Sequence, residues 1–414
     1  MSFRHSVTFA SLLFVCIWAF LAPGRLSVSP SDTFSHDPGD YNSAAVHLVT
    51  DGMYSTDGTH PFFEREPGYS VFLAAIYRIF GLENRLGIFL MQGILTLLAI
   101  LLFASELRRH VSSERIASTV LVLFVLLPSV YHTVFSAYRE NFALILVLFF
   151  AASFLRLQRS PSFSAAILGG VLLGSLLLTY IPFLFFPVFL IPLAWVLPIP
   201  KRHLFTVVLI PYIFILLWSG RNFLQGGGFR IAAPERTAIM IYVRGEQAEH
   251  IRGLEPFRCL WAEYVSRNWE GRSKQCSFNG VMHGLVDSGR LATETPAMIS
   301  TGGKEKILQF LPFYLWFSMF EIIEFHLPYV NGWGFTYNAL AALSMVVLYL
   351  GCLFTLPAVL KRENAIFFLL IAYSTIIFSL TDATPRYLLP IIFCYAVIAA
   401  VGYDWVLSKV RSGR

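Results

Sequence analysis

Apolar residues fall in long blocks separated by short polar connections. A helix needs about 20 apolar residues to cross the hydrocarbon core of a bilayer, and roughly ten blocks approach or reach that length. They cover 8–23, 86–105, 116–134, 141–155, 163–180, 182–198, 203–219, 336–358, 364–381 and 388–407. The two blocks within 163–198 carry Pro182 and Pro187 and read as a tight helical hairpin, because proline restricts the residue before it and tends to end a helix. The pattern predicts an all-α polytopic membrane protein with about ten transmembrane helices and a large first outer loop.

Composition agrees. Hydrophobic residues make up 56% of the 414, aromatics 16% and charged residues only 14%, where charged residues are usually about a quarter. That excludes a disordered chain, a coiled coil and a disulfide-stapled miniprotein. It also argues against a soluble enzyme, which has no way to hide so much apolar surface. The net charge of +6 then does not point to nucleic acid, since basic excess in a membrane protein collects in cytoplasmic connections.

The basic residues do collect. Arg108, Arg109 and Arg115 share one connection, and Arg156 and Arg159 the next but one. Lys201 and Arg202 follow, then Lys361 and Arg362, then a tail with Lys409, Arg411 and Arg414. With Arg4 in front, every second connection is basic, which assigns those connections and both termini to the cytoplasm. Segments 24–85 and 220–335 fall on the other side. The chain divides accordingly into a membrane module 1–219 that includes outer loop 24–85, an outer segment 220–335, and C-terminal transmembrane helices 336–414. Block 8–23 reads as an uncleaved signal anchor because Ala-Pro-Gly at 22–24 is a poor cleavage site; a cleaved signal peptide is the alternative. Stretch 306–329 is apolar but holds Glu321, Glu324, Pro312 and Pro328. A span there would break the charge alternation downstream, so it reads as an interfacial or re-entrant helix. Cys259 and Cys276, in the second outer segment, are a candidate disulfide, with two free thiols as the alternative. The chain has no GxxxxGK[ST] loop, HExxH or CxxC pair.

The first outer loop carries the most chemistry. Tyr41, Ala45, Leu48 and Val49 recur at helical spacing, with Asp37 and Asp40 at the N-terminal edge. An aspartate there serves as an N-cap or as a reactive carboxylate. Glu64-Arg65-Glu66-Pro67-Gly68-Tyr69 leads directly into the apolar stretch 70–80. The charged trio is either a solvated ion pair of little worth or a functional cluster pinned at the membrane surface. Arg139-Glu140, then Trp218, Arg221 and Asn222, then Asp382, Arg386 and Tyr387 mark the outer ends of later blocks. Each alone is an interfacial anchor; together they put arginines and carboxylates on one membrane face. A sugar carried on a polyprenyl phosphate needs that set. Cations stabilise the leaving phosphate, and a carboxylate takes the acceptor's proton as C1 is attacked. An anion transporter would use the same inventory.

In these residues the chain resembles the GT-C integral-membrane glycosyltransferases, and among them bacterial proteins similar to protein O-mannosyltransferases and lipid A aminoarabinose transferase. Asp37, Tyr41, Ala45 and Leu48 match the family's first-loop spacing. Arg65-Glu66-Pro67-Gly68-Tyr69 matches its Arg-x-Pro-Gly-Tyr stretch, and Pro128 with Glu140 its next outer turn. Trp218-Ser219-Gly220-Arg221-Asn222 matches the end of a later helix, and Arg386-Tyr387 with Pro390 the start of the last one. Thr179-Tyr180-Ile181-Pro182 departs, lacking the arginine of the usual Thr-Arg-Pro. The resemblance implies a GT-C-like helical bundle and inverting transfer from a polyprenyl-phosphate sugar to a lipid, glycan or protein acceptor. It implies a bacterial inner membrane with the active site on the periplasmic side. By position Asp37 is the general base and Asp40 the second choice, while Glu140 orients the acceptor or binds a metal. Arg65, Arg221 and Arg386 are phosphate contacts, and Tyr41, Tyr69 and Arg139 line the substrate. No cofactor is expected, divalent metals included, and no nucleic-acid partner. A polytopic transporter or lipid flippase is the alternative, disfavoured because most blocks are apolar at their centres. A non-catalytic assembly protein on the same fold is a third.

Overall fold

The structure is a computed structural model that describes residues 2–29, 33–34, 37–111, 113–232, 241–247, 249, 296–326, 335–355, 364–381 and 385–412. All regular structure among them is helical. The main helices are α1 (Phe3–Leu26), α2 (Asp37–Thr50), α3 (Gly68–Phe80), α4 (Arg85–Val111), α5 (Glu114–Val125), α6 (Pro128–Val134) and α7 (Arg139–Arg159). They continue as α8 (Phe163–Leu177), α9 (Lys201–Leu224), α10 (Pro296–Gln309), α11 (Leu311–Phe325), α12 (Phe335–Thr355), α13 (Ala365–Leu380) and α14 (Ile392–Ser412). Cys259 and Cys276 lie outside the described residues, so the expected disulfide does too.

Six helices are long and apolar enough to cross a membrane, or seven when α5 and α6, bent by 59° to one another, count as one span. The chain is a multi-pass membrane protein. Ten spans are not found among the described residues, and prolines account for part of the difference. Residues Ile181–Trp195 form a string of one-turn pieces. Pro182, Pro187 and Pro192 each remove a backbone donor there and clash with the preceding turn. The expected second arm of a hairpin is thus a broken segment. Pro128 likewise begins a new helix after extended Leu127, which produces the α5–α6 bend. Ser113 and Ser162 start α5 and α8 by accepting the backbone N–H three residues on, at 3.3 and 3.2 Å.

The described residues form two compact units. The first comprises Met1–Ile231, Pro328–Ser374 and Leu388–Arg414, the second Ala232–Leu327 and Thr375–Tyr387. In the first unit α8 packs on α9, α4 on α7, α7 on α8, α12 on α14, and α5 on both α1 and α14. Helix α7 is buried along most of its length, while α1 and α9 turn Leu12, Phe20, Phe205 and Leu217 outward. Outward leucines and phenylalanines are what a helix presents to lipid tails. α12 and α14 touch through Gly351 and Gly402, where a Cβ on Gly402 would collide with the Gly351 carbonyl; small residues let membrane helices approach this closely.

The two ends of this unit differ. At one end Arg109 and Arg159 both reach Glu106, at 2.8 and 2.9 Å, and Arg108 reaches Glu114 at 3.2 Å. At the other end of α7 lies the first loop, with α2, α3 and Arg139. The 21 residues of α7 separate the two ends by roughly 30 Å, a bilayer's hydrocarbon thickness.

In the second unit Tyr314 donates to the Leu380 carbonyl at 2.7 Å, Phe325 stacks on Phe378 at 5.3 Å, and Lys306 meets Glu246 at 2.8 Å. Where one helix was expected over 306–329, the described residues form the end of α10 and the whole of α11, meeting at Phe310.

Candidate active site

Helix α2 lays Tyr41, Ala44 and Ala45 into the protein, and Leu48 and Trp218 pack against the cluster of Ala44, Tyr54 and Phe62. That burial fixes the helix's rotation and therefore where Asp40 lies. The Arg65 guanidinium, almost wholly buried, binds Asp40 Oδ2 through Nε and Nη2, both at 2.9 Å. It also lies 5.2 Å from the Tyr41 ring centroid. The Asp40 side chain stays 37% exposed, so one oxygen is fixed while the group remains reachable. Asp37 begins α2, one turn ahead of Tyr41; its side chain is outside the described residues.

Behind this pair sits a second one. Glu66 is buried and accepts from Arg139 Nη1 at 2.7 and 2.9 Å, from the Tyr41 hydroxyl at 3.1 Å, and from the Ile181 backbone N–H at 3.1 Å. The Tyr41 hydroxyl in turn accepts from Arg139 at 2.8 Å. Burial pushes the Tyr41 hydroxyl well above its ordinary range, a shift that Arg139 opposes and Glu66 adds to, so it stays a proton donor. Tyr54 ties down the backbone between the two pairs by donating to the carbonyls of Arg65 and Glu66, at 3.3 and 3.2 Å. Gly68 donates to the Leu178 carbonyl at 2.6 Å, too close for any side chain at that position.

Arg221 meets the same loop from the end of α9. It donates to the carbonyls of Phe62 and Tyr54 at 3.4 Å, and to Asn222 Oδ1 at 2.9 Å. Its guanidinium lies 4.8 Å from the Trp218 ring and 5.6 Å from the Tyr54 and Phe63 rings. No carboxylate among the described residues pairs with it. Asp40 balances Arg65, and Glu66 balances Arg139; Arg221 keeps its charge.

Of the remaining expected residues, Tyr69 packs edge-on against Tyr41 at 5.6 Å and donates to Gln92 Oε1 at 3.1 Å. Glu140 is buried in the first turn of α7, beside Arg139. Arg386 belongs to the second unit, where it lies over the Tyr387 ring at 5.1 Å. Among the described residues no three His, Cys, Asp or Glu side chains gather as a metal site requires.

No protein-family model matches the chain, and no curated protein matches it in sequence. Solved structures do. The archaeal oligosaccharyltransferase AglB from Archaeoglobus fulgidus, in complex with an inhibitory peptide and a dolichol-phosphate, superposes with a TM-score of 0.53 at 14% identity. The match covers 100% of this chain and 51% of that one. The Archaeoglobus fulgidus oligosaccharyltransferase tethered to an acceptor peptide gives 0.51 at 14% identity, covering 100% and 50%. This is a GT-C fold. ArnT from Cupriavidus metallidurans bound to undecaprenyl phosphate is a further match, at 0.40 and 14% identity over 96% and 77%. The chain spans about half the length of the archaeal enzymes.

Within this GT-C fold, sequence reasoning missed Glu66, Tyr54 and Gln92. Glu66 sits in a charged trio that reads as either a solvated ion pair or a functional cluster, and only its burial singles it out. Gln92 carried a signal: a lone amide in an apolar block is costly unless bonded. Its Nε2 donates to the Val134 and Ser136 carbonyls at 2.8 and 3.1 Å, closing the end of α6.

Proposed function

We propose that the protein is an inverting glycosyltransferase that moves a sugar from a polyprenyl-phosphate donor to an acceptor at the loop end of the bundle. That end faces the periplasm of a bacterial inner membrane, with both termini cytoplasmic. One observation carries the reading: a reachable carboxylate held by a buried arginine on the first loop, which an arginine without a carboxylate meets from the end of α9. In this reading the acceptor hydroxyl gives its proton to a first-loop aspartate as its oxygen attacks C1. Asp37 is the base by position, and Asp40 is the second choice. The bond from C1 to the phosphate oxygen breaks, and the Arg221 guanidinium takes up the charge on the departing lipid phosphate in bidentate fashion. Arg65 and Arg139 act through Asp40, Glu66 and Tyr41, Tyr69 braces Tyr41, and Glu140 orients the acceptor. The mechanism needs no metal. The dolichol-phosphate bound to the archaeal enzyme of this fold supports a lipid-linked donor.

The test is a reconstituted assay with labelled polyprenyl-phosphate hexoses and pentoses and membrane, glycan and protein acceptor fractions. At least one donor should yield polyprenyl phosphate together with a labelled acceptor. Movement of a donor across the vesicle without cleavage would overturn the reading in favour of a flippase.

A further inference from the structure

The opposite end of the first unit holds a cavity of about 620 Å³ lined by His110, Gln158, Arg159, Trp195, Val196, Leu197 and Pro198. That volume lies within the range of small-ligand pockets, about 300–1,000 Å³. Its walls are of three kinds. Arg159 supplies charge. It shares the buried Glu106 with Arg109, so one carboxylate faces two guanidinium groups and one positive charge is left over. Gln158 supplies a hydrogen-bond donor: the residue is only 6% exposed, and its amide nitrogen has no partner among the described residues. Buried donors without partners are rare unless a ligand or water completes them. Val196, Leu197 and Pro198 supply an apolar wall, with the Trp195 indole 71% exposed beside it.

The surroundings are basic as well. Lys201 and Arg202, both exposed, open α9 directly after the Pro198 wall, and Arg156 lies one turn before Arg159. His203 packs near Phe163 at 6.4 Å, which keeps the start of α9 at this end. A site that joins a cation and an amide donor to an apolar wall with an indole fits a phosphate ester attached to a lipid. Tryptophan belongs at the headgroup level, and basic pockets between membrane helices bind anionic headgroups. We propose that this cavity binds the phosphate of an anionic phospholipid of the surrounding membrane, of the phosphatidylglycerol type. The proposal requires only that the helices span a membrane and is independent of the glycosyltransferase reading.

The full chain would be placed in nanodiscs containing phosphatidylcholine and phosphatidylglycerol, released, and weighed with its bound lipid by native mass spectrometry. Wild type should retain phosphatidylglycerol over phosphatidylcholine by about tenfold, as charge-assisted hydrogen bonds allow. Arg159→Gln should abolish that preference, because Arg109 alone then neutralises Glu106. Trp195→Ala, at an exposed side chain that the fold does not need, should reduce it several-fold. If Arg159→Gln fails to fold, Trp195→Ala decides the matter. Equal retention of both lipids by wild type, or an undiminished preference in the folded variants, would overturn the proposal. Displacement of phosphatidylglycerol by millimolar inorganic phosphate would overturn it too, marking the cavity as a site for a soluble phosphate.

Discussion

Glu66 holds three stretches of chain at once: α2 through Tyr41, α7 through Arg139, and the broken segment through the Ile181 N–H. Its removal takes from the largely buried Arg139 guanidinium the carboxylate it is hydrogen-bonded to, and breaking such a pair typically costs about 3–5 kcal/mol. Glu66→Gln is therefore expected to lower the melting temperature of the detergent-solubilised protein clearly. Adding Arg139→Gln should restore part of the loss, because the guanidinium charge goes with it. The aspartates are expected to behave differently. Asp37→Asn keeps an oxygen able to cap α2, worth about 1 kcal/mol, so stability should hold. A lost general base slows transfer by about 10²–10⁴-fold. Asp37→Asn should thus fold, bind donor and transfer sugar at least about a hundredfold more slowly. Asp40→Asn should be milder in rate and should loosen Arg65. If Asp40→Asn is dead and Asp37→Asn turns over normally, Asp40 is the base; if both turn over normally, the loop is not catalytic. That Asp40, Tyr41 and Arg65 come together was readable, because spacing and local motif mark them. Glu66 was not, because the sequence Glu64-Arg65-Glu66 contains nothing that tells the exposed glutamate from the buried one.

At the scale of elements, the long apolar blocks became helices close to their expected places, since length and hydropathy alone decide whether a segment suits lipid. The interruptions were less legible. Proline at 182 and 187 was visible, but whether it makes a corner or a string of short turns depends on neighbours that hold the freed carbonyls. Contacts between elements were not legible at all, and glycines show why. Gly68 is one residue in a turn motif until the structure sets it against Leu178 and Thr179, and Gly402 is one small residue in α14 until it meets Gly351. Gly68→Ala and Gly402→Ala should each destabilise by about 1–3 kcal/mol, the usual cost of forcing atoms into a packed contact. Gly24→Ala is the control. It lies in α1 with nothing within 4 Å of a new Cβ, and replacing a helical glycine there should stabilise by about 0.5–1 kcal/mol. Melting curves of the three variants should order them accordingly, and an equal loss in all three would mean that these contacts do not hold the bundle together.

At the scale of the molecule, the two ends of the first unit carry different chemistry, and that difference predicts an orientation. Arg108, Arg109, Arg115 and Arg159 gather at one end, where Glu106, Glu114 and Asp404 offset only part of their charge. The other end carries the first loop, where Asp57 accepts from the Thr59 and His60 N–H groups at 2.8 Å and those bonds hold its carboxyl well below the usual range. By the positive-inside rule the basic end is expected to stay in the cytoplasm and the loop end to face outward. The expected outcome is asymmetric labelling. In a background freed of its five cysteines, Thr59→Cys should react with a membrane-impermeant maleimide added to intact cells. Ser160→Cys, exposed at the end of α7, should react only after the membrane is opened. Reaction of Ser160→Cys alone in intact cells would invert the molecule. The GT-C fold would stand unchanged, but the aspartates and Arg221 would then face the cytoplasm, and a periplasmic transfer reaction would have no site in which to occur.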